Sequence, residues 1–418
     1  MIIFEFVRRS FPSLLIVGLG MMLGFPSAGQ AADIQVDTTD DVYHGNCILF
    51  CSLRDAILVS NSNGEDDTIH VPAGTYNLTI PGAGENGGLT GDLDIDSLDM
   101  VTIIGEGPGA TIIDGNAIDR VLHIDMNSGS VFLTGLTIRG GLVNGASGGG
   151  IFNWNSTLII NSCEITGNHI TGDDNNERGG GIFNEEGLLW MNDSMISFNS
   201  SEHRAGGLYI GPGSTTQLNR CTVNNNTALN AGAVYTEGTS YFYNVTFFDN
   251  TATGGADGVW VVGTSEFKHC TLYQIDIAEE TIYCRAGGAL TTLKNTIVSG
   301  TCNVEEANID PVAGNVEWAD TCFMGYGNYH SAGTATGLLH LSDFGFNGGG
   351  VQTFKLSASG VSDDYVFTTT HLLDEDARFT PRPVGPYGDS GAYELVPDEI
   401  FSHGFENKYT TGWSDTVR

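Results

Sequence analysis

The chain has 418 residues, 50 of them acidic and 16 basic, for a formal charge of −34. A surface this negative repels nucleic acid and anionic membranes, so neither is an expected partner. With 40 % hydrophobic residues set in short patterned runs, the chain is not a disordered acidic tail.

Arg8 and Arg9 precede an apolar run from Phe11 to Phe25, followed by Pro26-Ser27-Ala28-Gly29-Gln30-Ala31. A basic start, an apolar centre and small residues at a cleavage point describe a secretory signal peptide over 1–31, cut near Ala31. The run is shorter than the roughly 20 residues that a membrane span needs, and no later stretch is long and apolar enough to cross. Export is therefore expected, with no transmembrane segment after cleavage.

Residues 32–66 read as an N-terminal cap. Within it, Cys51-Ser52-Leu53-Arg54-Asp55-Ala56-Ile57 carries a helix signal: Ser52 can cap, Asp55 can return the bond, and Leu53, Ala56 and Ile57 share a face. A solenoid needs such a cover over its first coil. Cys47 and Cys51 are expected to bridge, since disulfides suit an exported chain.

From 67 to 302 the chain reads as strands. Asp67-Thr68-Ile69-His70-Val71, Tyr76-Asn77-Leu78, Leu93-Asp94-Ile95, Val101-Thr102-Ile103-Ile104 and Ala110-Thr111-Ile112-Ile113 come first. From Leu136 a phrase recurs with its apolar member at positions 138, 165, 196, 223, 247, 272 and 297, in steps of 24 to 31 residues. A second phrase begins Gly148-Gly149-Gly150-Ile151-Phe152-Asn153 and decays through Gly179-Gly180-Gly181-Ile182-Phe183-Asn184 to Gly206-Gly207-Leu208-Tyr209. Asn168, Asn199, Asn226 and Asn250 form a third column. Short runs of period two, broken by Gly, Asn, Ser and Thr turns, with no 3.6 period, specify an all-β fold: a right-handed parallel β-helix of about 25 residues per coil. Equivalent residues then stack ~4.8 Å apart. The Asn column becomes a ladder of amides at a turn where Asn tolerates positive φ. The Gly column marks a corner where a side chain would meet the next coil.

Cys163, Cys221 and Cys270 share a column, but Ser194 and Val245 intervene, so neighbouring cysteines lie ~9.6 Å apart, beyond disulfide reach. They are expected to be buried thiols. Cys302 and Cys322 close an irregular loop in this reading, with Cys284 a rival partner for either. After Val298 the period fails. Residues 303–396 are expected to form degenerate coils and a C-terminal cap, with one more strand at Val351-Gln352-Thr353-Phe354-Lys355-Leu356. Residues 397–418 read as a separate tail, a sorting or anchoring segment or an unstructured end.

Several of these stretches resemble a known group. Cys47-x-x-x-Cys51-Ser52-Leu53-Arg54-Asp55-Ala56-Ile57 resembles the CSLREA motif of bacterial exported β-helix proteins, with Asp55 in place of the usual Glu. Asp67-Thr68-Ile69-x-Val71-Pro72-Ala73-Gly74 and Gly107-x-Gly109-Ala110-Thr111-Ile112-Ile113-Asp114-Gly115 are similar to that group's first coils. Arg378-x-x-x-Arg382 with Gly388-Asp389-Ser390-Gly391-Ala392-Tyr393-Glu394 resembles the close of the choice-of-anchor Q domain. The Gly-Gly-Gly-Ile phrases resemble repeats of polymorphic outer-membrane proteins. The resemblance spans about residues 33 to 396 and implies a pectin-lyase-like fold, secreted or on the outer surface of a Gram-negative bacterium. It implies no established activity.

Two constellations could carry function. Arg178 and Arg204 each precede an aligned glycine by three residues and should stack one coil apart, beside Glu177, Glu202 and His203 and an acidic insertion, Asp173-Asp174. Two arginines so close call for carboxylates or an anionic ligand. They form either a site for acidic sugar or a surface ion-pair ladder with Glu177 and Glu202. Second, alternation puts Asp92, Asp94 and Asp96 on one strand face, which either holds Ca²⁺ or is simply solvated. Nothing else in the motifs requires a cofactor. Tyr209, Tyr235, Trp260 and Tyr241 read as interior stacks or as an adhesive face. The ordered polygalacturonase and pectate-lyase patterns are absent. The sequence thus points to a monomeric β-helix that binds polysaccharide or another cell-surface component. Its alternative is a lyase or hydrolase acting on acidic polysaccharide, with no catalytic residue legible.

Overall fold

The structure, a computed structural model, describes residues 32–125, 129–172, 177–275, 280–285, 290–304, 309–311, 315–317, 321–322, 329–331, 344–347, 349–354, 372–382 and 392. The expected signal peptide over 1–31, the pair Asp173 and Asp174, and the tail 397–418 lie outside them.

Each regular coil runs through four short strands. In one coil these are Ile151–Trp154, Thr157–Asn161, Glu164–Thr166 and His169–Thr171. The first joins a nine-stranded sheet (sheet C), the second and third join eleven-stranded sheets (A and B), and the fourth a five-stranded sheet (D), counted among the described residues. Neighbouring strands within these four sheets are parallel and one coil apart, as in Leu158 with Leu189, Thr216, Ser240 and Ser265 along sheet A. The chain is therefore a parallel β-helix. Its strand-to-strand crossovers are of the type that is right-handed in nearly all proteins.

The period of two decides what fills the lumen. Ile151, Ile182, Leu208, Val234 and Val259 point inward from sheet C, and Ile165, Ile196, Val223, Phe247 and Leu272 from sheet B. Each is nearly or wholly buried, worth about 1.5–3 kcal/mol per side chain. At the start, helix α1 (Leu53–Asn63) has Ser52 as N-cap and a capping box with Asp55, then ends at Gly64 in the left-handed region. Leu53, Ala56 and Ile57 enter the same core, and α1 packs against the early strands Leu93–Ile95 and Asp67–His70. Arg54 is buried by being fully used. It pairs with Asp41 at 2.7 Å and donates to the carbonyls of Gly88, Gly91 and Asp92.

The Asn column is a ladder. Asn199 Nδ2 donates to Asn226 Oδ1, and Asn226 Nδ2 to Asn250 Oδ1, each at 3.0 Å. Each Oδ1 also accepts the backbone N–H of the Asn one coil earlier. Positive φ falls not on these asparagines but on the residue before each: Gly167, Phe198, Asn225 and Asp249. The ladder amide must point into the stack, so the preceding residue makes the reversal. A second such column, Ser162, Asp193, Arg220, Asn244, His269 and Asn295, turns sheet A into sheet B. It also corrects the last step of the repeat. Asn295 takes the place of His269, so Val298, not Ile297, pairs with Leu272. At the Gly corner, a Cβ on Gly181 would lie 2.7 Å from the Gly207 carbonyl, and one on Gly207 2.6 Å from that of Ala233.

Cys163, Cys221, Cys270 and Cys284 are free and buried. The Cys270 thiol sits 3.1 Å from the Phe242 carbonyl. Cys47 is bonded to Cys51 and Cys302 to Cys322.

The far end departs from the expectation of simple end-capping. Strands up to Tyr329–Ser331 continue the stack. Thr353–Phe354, however, pairs antiparallel with Phe344–Gly345 instead of adding a coil. This hairpin and residues 372–382 fold back over sheet B. Phe344 and Phe354 pack on Phe248 with ring centroids at 4.2 and 5.0 Å. Asn244 Nδ2 donates to the Glu375 carbonyl, Ala392 N–H to Thr271 Oγ1, and Thr222 Oγ1 to the Gln352 carbonyl. The aromatic residues at Phe248 and Tyr273 face outward and need this cover, which is the physical reason the segment returns to the flank.

Candidate functional site

The outer face of sheet C holds both constellations singled out in the sequence. Residues opposite the lumen align as Asp94, His123, Phe152, Phe183, Tyr209, Tyr235, Trp260 and Tyr283. From Phe152 to Trp260 the rings stack nearly parallel, with centroids 4.8 to 5.9 Å apart. The stack is neither in the lumen nor on an open adhesive face. The corner between sheets D and C folds over it, and Ala205 and Ala231 pack on the rings to make a second core. Tyr209 is fully buried. Tyr241 lies elsewhere, on sheet A beside Tyr243.

Arg178, Arg204 and Asn230 stand in register on successive coils of that corner. The guanidinium of Arg178 lies 5.0 Å from the Tyr209 ring centroid and that of Arg204 5.1 Å from Tyr235. A cation over an aromatic face is held by the ring quadrupole, worth about 0.5–2 kcal/mol. Arg178 Nη1 donates to the Tyr209 hydroxyl at 2.9 Å, and that hydroxyl donates in turn to Glu237. Burial foremost, and then the hydrogen bond and charge of Glu237, push the Tyr209 hydroxyl far above its ordinary range, so it remains a donor. Arg178 Nε has no hydrogen bond.

The carboxylates facing these arginines are not all those expected. Glu237 lies 3.9 Å from Arg204. Glu185 feels Arg178, although burial, the larger influence, raises its carboxyl. Glu177 is fully buried, and Glu202 accepts the Gly172 N–H at 2.9 Å. His203 is half-buried, and burial followed by Arg204 lowers its imidazole from the usual value. Two residues after each stacked ring the chain places Trp154, Glu185, Gly211, Glu237 and Val262. Trp154 pairs with Glu185 and is 37 % exposed. A Cβ on Gly211 would lie 2.8 Å from Glu185 Cγ, so the glycine makes room for the Glu185 side chain beside its coil. Period two from the Phe-Asn-Trp phrase would have located this column. Its identities vary from coil to coil, and that variation hid it.

The acidic strand is at the other end of the same face, and it is not solvated. Asp92 and Asp94 are each 1 % exposed. Asp96 is exposed, and its N–H bonds Asn61 Oδ1. The three-aspartate set is thus broken, because the strand ends at Ile95 and the chain turns out. The third member is His123, one coil on, with Nδ1 2.8 Å from Asp94 Oδ1. Ligand atoms of Asp92, Asp94 and His123 lie within 4.8 Å of one another. Arg120 Nε stands 3.5 Å from Asp92, and its guanidinium covers Phe152 at 5.2 Å. Burial, then Asp94, against Arg120 and with Asp119 adding, pushes the Asp92 carboxyl up to about 8.

No family model matches the chain, and no curated protein does. Among the solved structures similar in chain path are two with these figures. One is Geobacillus virus E2 ORF18, with TM-score 0.40 and 12 % identity, covering 68 % of this chain and 59 % of that one. The other is pectate lyase Pel9A, with TM-score 0.45 and 13 % identity, covering 88 % of this chain and 98 % of that one. The chain therefore spans little more than half of the viral protein, and neither structure carries a residue role to it.

Proposed function

We propose that this is an exported β-helix protein that binds acidic polysaccharide along the corner that covers the outer face of sheet C. The observation behind the proposal is the arginine pair. Arg178 and Arg204 repeat at the coil spacing and are clamped over tyrosine rings, and the Arg204 side chain is 28 % exposed, in a chain of charge −34. Uronic-acid polymers offer carboxylates that guanidinium groups bind well. Exposed Trp154, beside Glu185, supplies an apolar plane for a sugar ring. Two disulfides suit the oxidising compartment that export implies.

The test is calorimetric titration with polygalacturonate, alginate and a neutral glucan at low and high salt. Binding to the acidic polymers alone, weakened by salt and reduced about tenfold or more in the Arg178→Ala/Arg204→Ala double variant, is the expected result. Equal binding by that variant, or preference for the neutral glucan, overturns the proposal. A second reading, hydrolysis or elimination on the same polymer, is favoured by one feature. Glu185 and Glu237 stand on alternate coils on either side of Gly211, and burial, against Arg178 and with Glu237 adding, raises the Glu185 carboxyl as a general acid requires. Release of reducing or unsaturated ends, abolished by Glu237→Gln, would select it over binding alone.

A further inference from the structure

We infer that Asp92, Asp94 and His123 form a binding site for a divalent first-row transition-metal ion, of the zinc or manganese type. The donor set is one imidazole nitrogen and two carboxylates, brought together by strand pairing: Asp94 and His123 are register partners on adjacent coils. Their atoms converge within 4.8 Å, near the separation of ligands across one ion with bonds of about 2 Å.

The surroundings leave the cluster unsatisfied. Both oxygens of Asp92 are buried without a hydrogen bond, while Asp94 Oδ1 and His123 Nδ1 face each other at 2.8 Å and Arg120 Nε stands 3.5 Å from Asp92. Buried polar atoms in folded proteins nearly always have a hydrogen bond, so the bare carboxyl of Asp92 calls for a further partner. The nearby groups are accounted for. Gly88 N–H takes Asp94 Oδ2 at 2.7 Å, which leaves Oδ1 for the cluster. Asp119 is occupied by the N–H groups of Gly84 and Arg120. Arg54 is committed to Asp41 and three carbonyls. Three buried acidic side chains, Asp92, Asp94 and Asp119, crowd together beside Arg120, and a dication would let all three ionise, since a buried charge needs a partner.

The donor types argue against the calcium expected from the aspartates alone. Calcium takes six to eight oxygens, commonly including several carboxylates and carbonyls. Two carboxylates and a nitrogen suit the borderline metals. His123 also explains the location. Its ring stands edge-on to Phe152 at 5.0 Å, so the aromatic stack fixes its orientation as a second shell would. An ion here would tie the loop gripped by Arg54 to the next coil, a stabilising role distinct from the glycan face.

The experiment uses the full exported chain, purified without a metal-affinity tag. Metal content is measured by mass spectrometry, followed by titration of the chelator-treated protein with Zn²⁺, Mn²⁺ and Ca²⁺ and by thermal melts. The expected outcome is one zinc or manganese ion per chain and a melting temperature raised by that ion and not by Ca²⁺. His123→Ala and Asp92→Asn should lower affinity at least about tenfold, while Gln217→Ala on sheet A leaves it unchanged. Cobalt loading gives a visible absorption band that His123→Ala shifts or removes, a readout that needs no comparison of stabilities. Folded wild-type protein that takes up none of these ions, or that prefers Ca²⁺ and keeps it in His123→Ala, overturns the inference.

Discussion

Replacing Asn226 by Ala tests whether the amide ladder holds the stack. The Asn226 side chain accepts from the Asn199 N–H and from Asn199 Nδ2, and donates to the Ile196 carbonyl and Asn250 Oδ1, each at 3.0 Å. Two of these partners have a second bond: Asn199 Nδ2 keeps the Ile165 carbonyl, and Asn250 Oδ1 keeps the Asn226 N–H. The Asn199 N–H and the Ile196 carbonyl lose their ladder partner in the buried interior. At about 1–3 kcal/mol for each stranded group, the loss is roughly 2–6 kcal/mol. Water entering the amide-sized gap sets the low end. Urea unfolding followed by near-UV dichroism gives the global change, and hydrogen exchange on peptides covering 196–200 gives the local one. Gln217→Ala, on the exposed side of sheet A, should stay within about 0.5 kcal/mol. A loss below about 1 kcal/mol for Asn226→Ala, or exchange raised evenly along the chain, would refute the reasoning.

Burial pushes the thiols of Cys163, Cys221 and Cys270 up to about 12 and that of Cys284 to about 11. At pH 8 a thiol reagent should therefore find no reactive cysteine in the native protein and four after denaturation. An acid raised on folding stabilises the fold below its unfolded value and loses that contribution as pH rises. Stability should thus fall as pH climbs from about 9 toward 12, read as a falling urea midpoint. At the reversal before the Asn ladder, Gly167 and Phe198 occupy equivalent left-handed positions, with φ of 63° and 55°. Nothing lies within 4 Å of a Cβ at Gly167, so Gly167→Ala should cost only the backbone strain, about 1–2 kcal/mol. Phe198→Gly should be nearly neutral, because strain relieved is offset by about 0.4–1 kcal/mol of added unfolded-state freedom. The same urea midpoints check both.

The repeat was legible because lumen packing permits few substitutions. Ile165, Ile196 and Val223 announce the coil, and Ser52 with Asp55 announces the capped helix. What the eye missed follows from weaker constraint. The left-handed columns admit Ser162, Asp193, Arg220 and His269 alike, since a turn residue there need only tolerate φ near 50°; that latitude concealed the one-residue shift at Val298. Outer-face positions vary because cross-coil pairs can be ionic, as with Arg220 and Asp193 at 2.6 Å, or aromatic. Glu185 and Glu237 were therefore hidden beside Arg178 and Arg204. His123 lay about 30 positions from Asp94, and only strand register could bring it there.

The returning C-terminal segment has a consequence for how this chain can change length over time. It grips Thr222, Asn244 and Thr271 with residues 121 to 138 positions further along. Duplicating or deleting a coil between those grips would move the landing points by ~4.8 Å relative to one another, and the hairpin would no longer meet Phe248. The segment thus counts the coils beneath it. The segment also touches Arg220 and Met195, so only repeats before Met195 are outside that count; the stack is free to gain or lose a rung there, and copies that differ in length should differ on that side.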